Sequence, residues 1–270
     1  MISFVNLALG ALFALIAAGA ASYFKLLTRS GALAAFLLGW IIFGLGGWSW
    51  AALLIAFFGT SSALSFAFKK RKRDSESMYA KGGTRDAGQV LANGGVAGAI
   101  VILHAIFPDS PVFWVGFCAA LAAANADTWA TELGVLNRRK PMLLLSGKSV
   151  EAGTSGAVSL VGTLAAVAGA LLIGLLGWVF VPNNIWLLPV VAFSGLLGSL
   201  VDSALGASVQ AIYFCPACQK KTEKHPRHGC GAETTLLRGW KWLSNDWVNL
   251  GCTLSASLVG VVLSVLFLVR

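Results

Sequence analysis

Apolar residues gather into eight stretches of 17 to 30 residues, separated by polar breaks of varied length. The stretches are Phe4–Ser22, Gly31–Gly47, Trp50–Phe68, Gly88–Phe107, Val112–Gly134, Gly156–Val181, Ile185–Phe214 and Trp247–Val269. A membrane-crossing helix needs about 20 largely apolar residues. The pattern therefore predicts an all-α polytopic membrane protein with eight transmembrane helices, a single membrane domain over residues 1–270. The first stretch lacks a basic leading segment and is long for the apolar core of a signal peptide, so it reads as a retained helix.

Charge placement tests that count. The loops after the first, third, fifth and seventh stretches hold two, seven, four and six Lys or Arg, nineteen of the twenty in the chain. Only Arg270 falls on the other side. Cytoplasmic loops carry such an excess, so these four loops are expected in the cytoplasm and both termini outside. Three of the loops are long: residues 69–87 (basic), 135–155 (Gly/Ser-rich) and 215–246. Composition agrees, with 57% of residues hydrophobic and 11% charged, where a soluble domain carries about a quarter charged. A net charge of +9 in such a chain marks membrane topology, not a nucleic-acid partner. The run Lys69-Lys-Arg-Lys-Arg reads as an anchor against anionic membrane lipids.

Some strings recur. Thr28-Arg-Ser-Gly-Ala-Leu, Ala92-Asn-Gly-Gly-Val-Ala and Thr154-Ser-Gly-Ala-Val-Ser open alike, and Ala124-Asn-Ala-Asp-Thr-Trp matches Ser199-Leu-Val-Asp-Ser-Ala. Gly59-Thr-Ser-Ser-Ala-Leu is a degenerate further copy. The pattern predicts parallel two-helix internal repeats, and membrane repeats commonly build the working site where they meet.

Carboxylates inside membrane helices are costly and sit where they face a bundle interior or a cavity. Asp127 and Asp202 are matched in this way, with Glu132 just beyond the first. Asn125, Thr128, Ser199 and Ser203 flank the pair. Hard oxygens in this arrangement suit Mg²⁺, which keeps part of its shell for water and substrate phosphates. Two Gly-rich segments supply cations, Lys81-Gly-Gly-Thr-Arg-Asp-Ala-Gly-Gln and Ser146-Gly-Lys-Ser-Val-Glu-Ala-Gly-Thr-Ser-Gly. Each leads into a predicted helix N-terminus, which favours phosphate. Arg85 is suited to bidentate phosphate bonding and Lys148 to a point charge. Gln89, Asn93, Thr154 and Ser155 add donors nearby. Asn245, Asp246 and Asn249, after the interfacial aromatics Trp240 and Trp242, are further candidates for the site.

Cys118 and Cys252 lie in apolar stretches as small hydrophobes. Cys215, Cys218, His228 and Cys230 share one loop, the first pair at zinc-ribbon spacing and the second pair closer together than is usual. They are expected to form a closed, structural zinc site; free cytosolic thiols are the alternative.

The strings Gly83-Thr-Arg-Asp-Ala-Gly-Gln-Val-Leu-Ala-Asn-Gly, Ala126-Asp-Thr-Trp-Ala-Thr-Glu-Leu-Gly, Gly153-Thr-Ser-Gly-Ala-Val-Ser and Gly198-Ser-Leu-Val-Asp-Ser-Ala-Leu-Gly-Ala together resemble the phytyl-phosphate kinase family. That family of integral membrane proteins includes the transmembrane-protein-19 group. The likeness runs from Ser30 to Asn249. It implies transfer of a phosphoryl group from a nucleoside triphosphate, CTP among them, to an isoprenoid lipid monophosphate. Under that reading Asp127 and Asp202 hold Mg²⁺, and Glu132, Arg85 and Lys148 complete the catalytic set. A transporter or flippase for an anionic or lipid-phosphate substrate is the main alternative, and a zinc-stapled scaffold a third. With no organelle-targeting stretch, the expected location is the plasma membrane, with the active face cytoplasmic.

Overall fold

The computed structural model describes residues 4–72 and 83–267, with the backbone alone for residues 69–72. Arg73 and Lys81 of the basic loop, Val269 at the end of the last stretch and Arg270 lie outside the described residues. The described chain forms eight long helices: α1 (Phe4–Tyr23), α2 (Arg29–Ile41, continued by a π-helical turn over Ile42–Gly46), α3 (Trp48–Lys72), α4 (Ala87–Ile106), α5 (Val112–Gly134), α6 (Leu160–Phe180), α7 (Leu187–Ser208) and α8 (Asn245–Phe267). Seven are long and apolar enough to cross a membrane. The eighth, α5, carries Asn125, Asp127 and Glu132 within its 23 residues.

Burial shows a bundle made for lipid. On α1 the buried positions are Gly10, Ala14, Ala18 and Ala21, a stripe of small residues at helical spacing. Leu12, Phe13, Leu15 and Ile16 face outward and are half exposed or more. Large side chains outside and small ones within is the membrane arrangement, where close backbone approach does the packing. At the centre stands α5, whose residues from Val115 to Ala126 are all buried. The alanines of that run fit only because glycines face them. A Cβ at Gly195 would lie 2.7 Å from the Ala122 Cβ, and one at Gly260 would lie 2.7 Å from the Ala119 Cβ.

Two spans differ from their hydropathy. The seventh apolar stretch runs on to Phe214, yet α7 stops at Ser208 and Ile212–Cys215 forms strand β3. A short apolar β-branched and aromatic run reads the same whether it is a buried strand or a helix end. Strand β3 pairs antiparallel with β4 (Lys220–Thr222) on one side and β5 (Thr235–Arg238) on the other. At the other site, the sixth stretch begins at Gly156, whereas α6 begins at Leu160 after its N-cap Ser159. Gly156 has φ +79° and lies against the Ala207 backbone, where a Cβ would clash. Ahead of it, β1 (Met142–Leu143) pairs with β2 (Ala157–Val158), folding the intervening segment into a flap.

The eight helices alternate in direction. The C-terminal ends of α3, α5 and α7 and the N-terminal ends of α4, α6 and α8 open on one cavity, which the α1–α2 turn also reaches. Every described Lys and Arg belongs to this end of the bundle. The charge alternation seen in the sequence is therefore also an alternation in space.

Candidate functional site

The cavity has a volume of about 900 Å³. Asp127 and Asp202 both line it, each in the last two turns of its helix. Their matched strings thus occupy equivalent places. The helix-opening strings do not: Thr28 caps α2, Ala92 sits buried inside α4, and Thr154 lies ahead of α6. Asp202 Oδ2 is buried and has no hydrogen-bond partner among the described residues. A buried carboxylate oxygen left in this way is expensive unless a cation or donor meets it.

Thr128, Ser199 and Ser203 flank the aspartates along the same wall, and Gln89, Asn93, Thr154, Ser155, Asn245, Asp246 and Asn249 line the rest with Glu132 and Arg85. Glu132 is buried, and its Oε1 accepts a hydrogen bond from Ser65 Oγ at 2.7 Å. Arg85 is held by its backbone: its N–H donates to Leu26 O at 2.9 Å, and its carbonyl accepts from Thr28 N–H at 3.0 Å. Its guanidinium lies over the rings of Phe57 and Phe58, 6.0 and 5.6 Å from their centroids. Burial lowers the Arg85 pKa from its ordinary value, and the charge on Glu132 offsets part of that. Arg85 is accordingly a fixed cation, braced by two aromatic faces within the field of the Glu132 carboxylate.

Two sequence candidates stand elsewhere. Asn125 does not line the cavity. It is fully buried, accepts from Ser61 Oγ at 3.4 Å beside Thr60 Oγ1 at 3.2 Å, and donates to Gly169 O at 2.8 Å. It ties α3, α5 and α6 together, a polar cross-link of the kind membrane bundles use. Lys148 is exposed on the flap and is not among the cavity residues.

The two helix N-termini are each capped by a side chain of their own segment. Asp86 caps α4 in a reciprocal box with Gln89, Gln89 N–H donating to Asp86 Oδ1 at 3.0 Å and Asp86 N–H to Gln89 Oε1 at 3.2 Å. Ser159 Oγ accepts from Gly162 N–H at 3.1 Å at the start of α6. Besides Arg85, the positive charge at the cavity comes from side chains that follow α5, Arg138, Arg139 and Lys140, with Lys25 from the α1–α2 turn. In the sequence these counted only as topology charges. Glu223 also lines the cavity and comes from the loop of cysteines. Gln210 Nε2 donates to Glu223 Oε1 at 2.9 Å, and Ser155 Oγ donates to Gln210 Oε1 at 2.5 Å.

Away from the cavity, the metal-binding atoms of Cys215, Cys218, His228 and Cys230 all lie within 4.8 Å of one another. The Cys215 and Cys230 sulfurs are 3.6 Å apart, and His228 Nδ1 is 3.3 Å from Cys230 Sγ. The backbone N–H of Ala232, with His228 and the other two cysteines, brings the Cys230 thiol down to about 6. Its hydrogen bond to Cys230 pushes Cys218 up to about 11.

No solved structure matches this chain. Among curated proteins it is 33% identical over 265 residues to Protein PGR of Arabidopsis thaliana, covering 89% of this chain and 90% of the relative. It is 35% identical over 188 residues to the uncharacterized membrane protein MJ0933 of Methanocaldococcus jannaschii, covering 68% of this chain and 74% of that one. It is 25% identical over 249 residues to Protein VTE6, chloroplastic, of Arabidopsis thaliana, covering 88% and 65%. These relatives bear out the resemblance carried by the four motifs. A family model described as integral membrane protein DUF92 matches residues 12–257, from the first helix into the last, and the chain belongs to that family of multi-pass membrane proteins.

Proposed function

We propose that this protein is a lipid-phosphate kinase, transferring a phosphoryl group from a nucleoside triphosphate to an isoprenyl monophosphate at the basic face of the bundle. By the distribution of Lys and Arg that face is cytoplasmic, where nucleotides are available. The observation that carries the reading is the mixed chemistry of one cavity, which two helix-borne aspartates line together with Arg85, Arg138, Arg139 and Lys140. Cations alone would suit any anion. Acids and cations together suit polyphosphate with a divalent metal.

Asp127 and Asp202 are the residues that would hold Mg²⁺, and the Oδ2 of Asp202, buried with no hydrogen-bond partner among the described residues, fits an oxygen-ligated cation. When bound, such a metal neutralises charge on the nucleotide phosphates. Arg85, fixed over its aromatic rings, and the cations after α5 orient the phosphates by charge-assisted hydrogen bonds. Leu196, Leu200 and Ala166 give the cavity an apolar side for the first isoprene units. An oxygen of the lipid monophosphate bonds to the γ-phosphorus as the β–γ bridging bond breaks, leaving lipid diphosphate and nucleoside diphosphate. A phosphate monoester is largely ionised near pH 7, so the acceptor needs no strong base. Positioning and electrostatics carry the rate.

The experiment is to incubate detergent-purified protein with Mg²⁺, a panel of prenyl monophosphates and each nucleoside triphosphate in turn. Mass spectrometry should detect a prenyl diphosphate with at least one pair. Folded protein that turns over none of them would count against the kinase and for transport. Neutralising Arg138 and Arg139 together (both to Gln) should weaken nucleotide binding, raising its KM about tenfold or more, as loss of two charge-assisted contacts implies. Lys148→Gln, on the exposed flap, should leave KM within about twofold, as surface changes away from a site do. Equal losses in the two variants would show that the cavity is not where the phosphates bind.

A further inference from the structure

The loop of cysteines has two parts, and the metal-ligand atoms lie where they meet. Strands β3 and β4 form a tight hairpin with Cys215 paired to Lys220 and Tyr213 paired to Thr222. Cys215 and Cys218 flank its closed end, across Pro216 and Ala217. The other two ligands stand on a second turn, in which His228 N–H donates to Ala232 O and Gly231 N–H donates to His228 O, both at 2.9 Å. Thr234 Oγ1 ties this turn back to Lys224 O at 3.1 Å. Each turn presents two ligand atoms, and all four lie within 4.8 Å of one another.

A tetrahedral zinc ion bound through sulfur at about 2.3 Å and nitrogen at about 2.0 Å sets ligand atoms roughly 3.5–3.8 Å apart. The 3.6 Å between Cys215 and Cys230 sulfurs and the 3.3 Å from His228 Nδ1 to Cys230 Sγ fall close to those edges. Three thiols and an imidazole also select zinc over magnesium or calcium, which take oxygen ligands.

The open end of the same hairpin points the other way. Gln210 lies just before β3 and Glu223 just after β4. They are joined by the Gln210–Glu223 hydrogen bond at 2.9 Å, and Gln210 is buried. Glu223 lines the cavity. Strand β4 is the edge of the three-stranded sheet and is held by β3 alone; so short a pairing is marginal, and a closed metal site can supply the folding free energy that it lacks. The geometry points to one zinc ion held by Cys215, Cys218, His228 and Cys230, stapling the closed end of this hairpin so that Glu223, bonded to the buried Gln210, stays fixed at the cavity wall. The zinc assignment stands independently of what reaction the cavity performs.

The first measurement is metal content by mass spectrometry on protein from zinc-supplemented cells. Wild type should carry one zinc per chain, while Cys218→Ser and His228→Ala fall to background. Should those variants fail to fold, exchanging Co²⁺ into wild type tests the same site, where a thiolate-to-cobalt charge-transfer band is expected. Wild-type protein with no zinc and no such band overturns the site. The second measurement is amide hydrogen exchange before and after chelation. Residues 210–223 should lose protection while α4 and α5 keep theirs. Bound zinc whose removal leaves 210–223 unchanged would retain the site and overturn its part in holding Glu223. Neither readout depends on kinase activity, so both remain decisive if no lipid phosphate is ever turned over.

Discussion

Asp202→Asn is expected to reduce phosphoryl transfer by about 10²–10³-fold or more, the scale on which a fixed electrostatic group at a reacting centre is lost, with little change in thermal stability. Asparagine keeps the shape of the side chain and removes the charge. If Asp202 only packed the helices, that change would be neutral or stabilising, because Oδ2 is buried without a partner among the described residues. Losing activity while keeping the fold is thus the signature of a working carboxylate. Asp127→Asn should behave alike, since it lines the same cavity. The double variant should be hardly worse than either single one, as residues acting as a unit are strongly non-additive. Activity assays alongside detergent melting curves make the comparison. Two active single variants would remove both aspartates from the site.

Gly198→Val should do the opposite, removing the folded protein and, with it, everything else. A Cβ at Gly198 would lie 2.7 Å from the Ala123 Cβ, 2.8 Å from the Cys252 carbonyl oxygen and 2.9 Å from the Ala256 Cβ. These neighbours belong to α5 and α8, so the side chain would be wedged between two helices and against a backbone atom. Overpacking of this kind costs about 1–3 kcal/mol and sometimes more, with valine the worse for its branches. Gly59→Ala on α3 is the control. No atom lies within 4 Å of a Cβ there, and alanine should gain up to about 1 kcal/mol from helix propensity. Size-exclusion profiles and melting temperatures in detergent should fall for the first and hold or rise for the second. A well-folded Gly198→Val protein would mean that α5, α7 and α8 pack less closely than described.

The bundle was legible in the sequence because lipid enforces a simple code: apolar runs of fixed length and a one-sided charge. Asp127 and Asp202 were legible for the same reason, since a carboxylate in an apolar run stands out. The code is silent where the environment stops being lipid. Ile212–Cys215 extends an apolar stretch, and only its strand partners reveal that it has left the membrane. Asn125 is next but one to Asp127 in sequence, yet a helix turns neighbours to different faces, so one meets α3 and α6 and the other the cavity. Lys148 drew notice from the glycines around it, but those glycines shape a flap. Arg138 and Arg139 were hidden by a pattern that already explained them, because topology and phosphate binding call for the same residue types at the same place. Glu223 had no local signal; the hairpin brings it to the cavity.

The burial of α5 bears on how the protein is made. A helix emerging into a bilayer first meets lipid and only later its neighbours. Helix α5 carries Phe113, Trp114, Phe117 and Leu121 toward its start, but its later half sets Asn125, Asp127 and Glu132 among alanines. Its polar residues find relief on α3, through Ser61 and Ser65, and on α6, through Gly169. The second of these helices is synthesised after it. Helix α5 is therefore expected to settle in the bilayer together with the helices on either side, which satisfy its polar residues. Glu132, which lines the cavity, is thus also one of the residues that tie this helix to its neighbours.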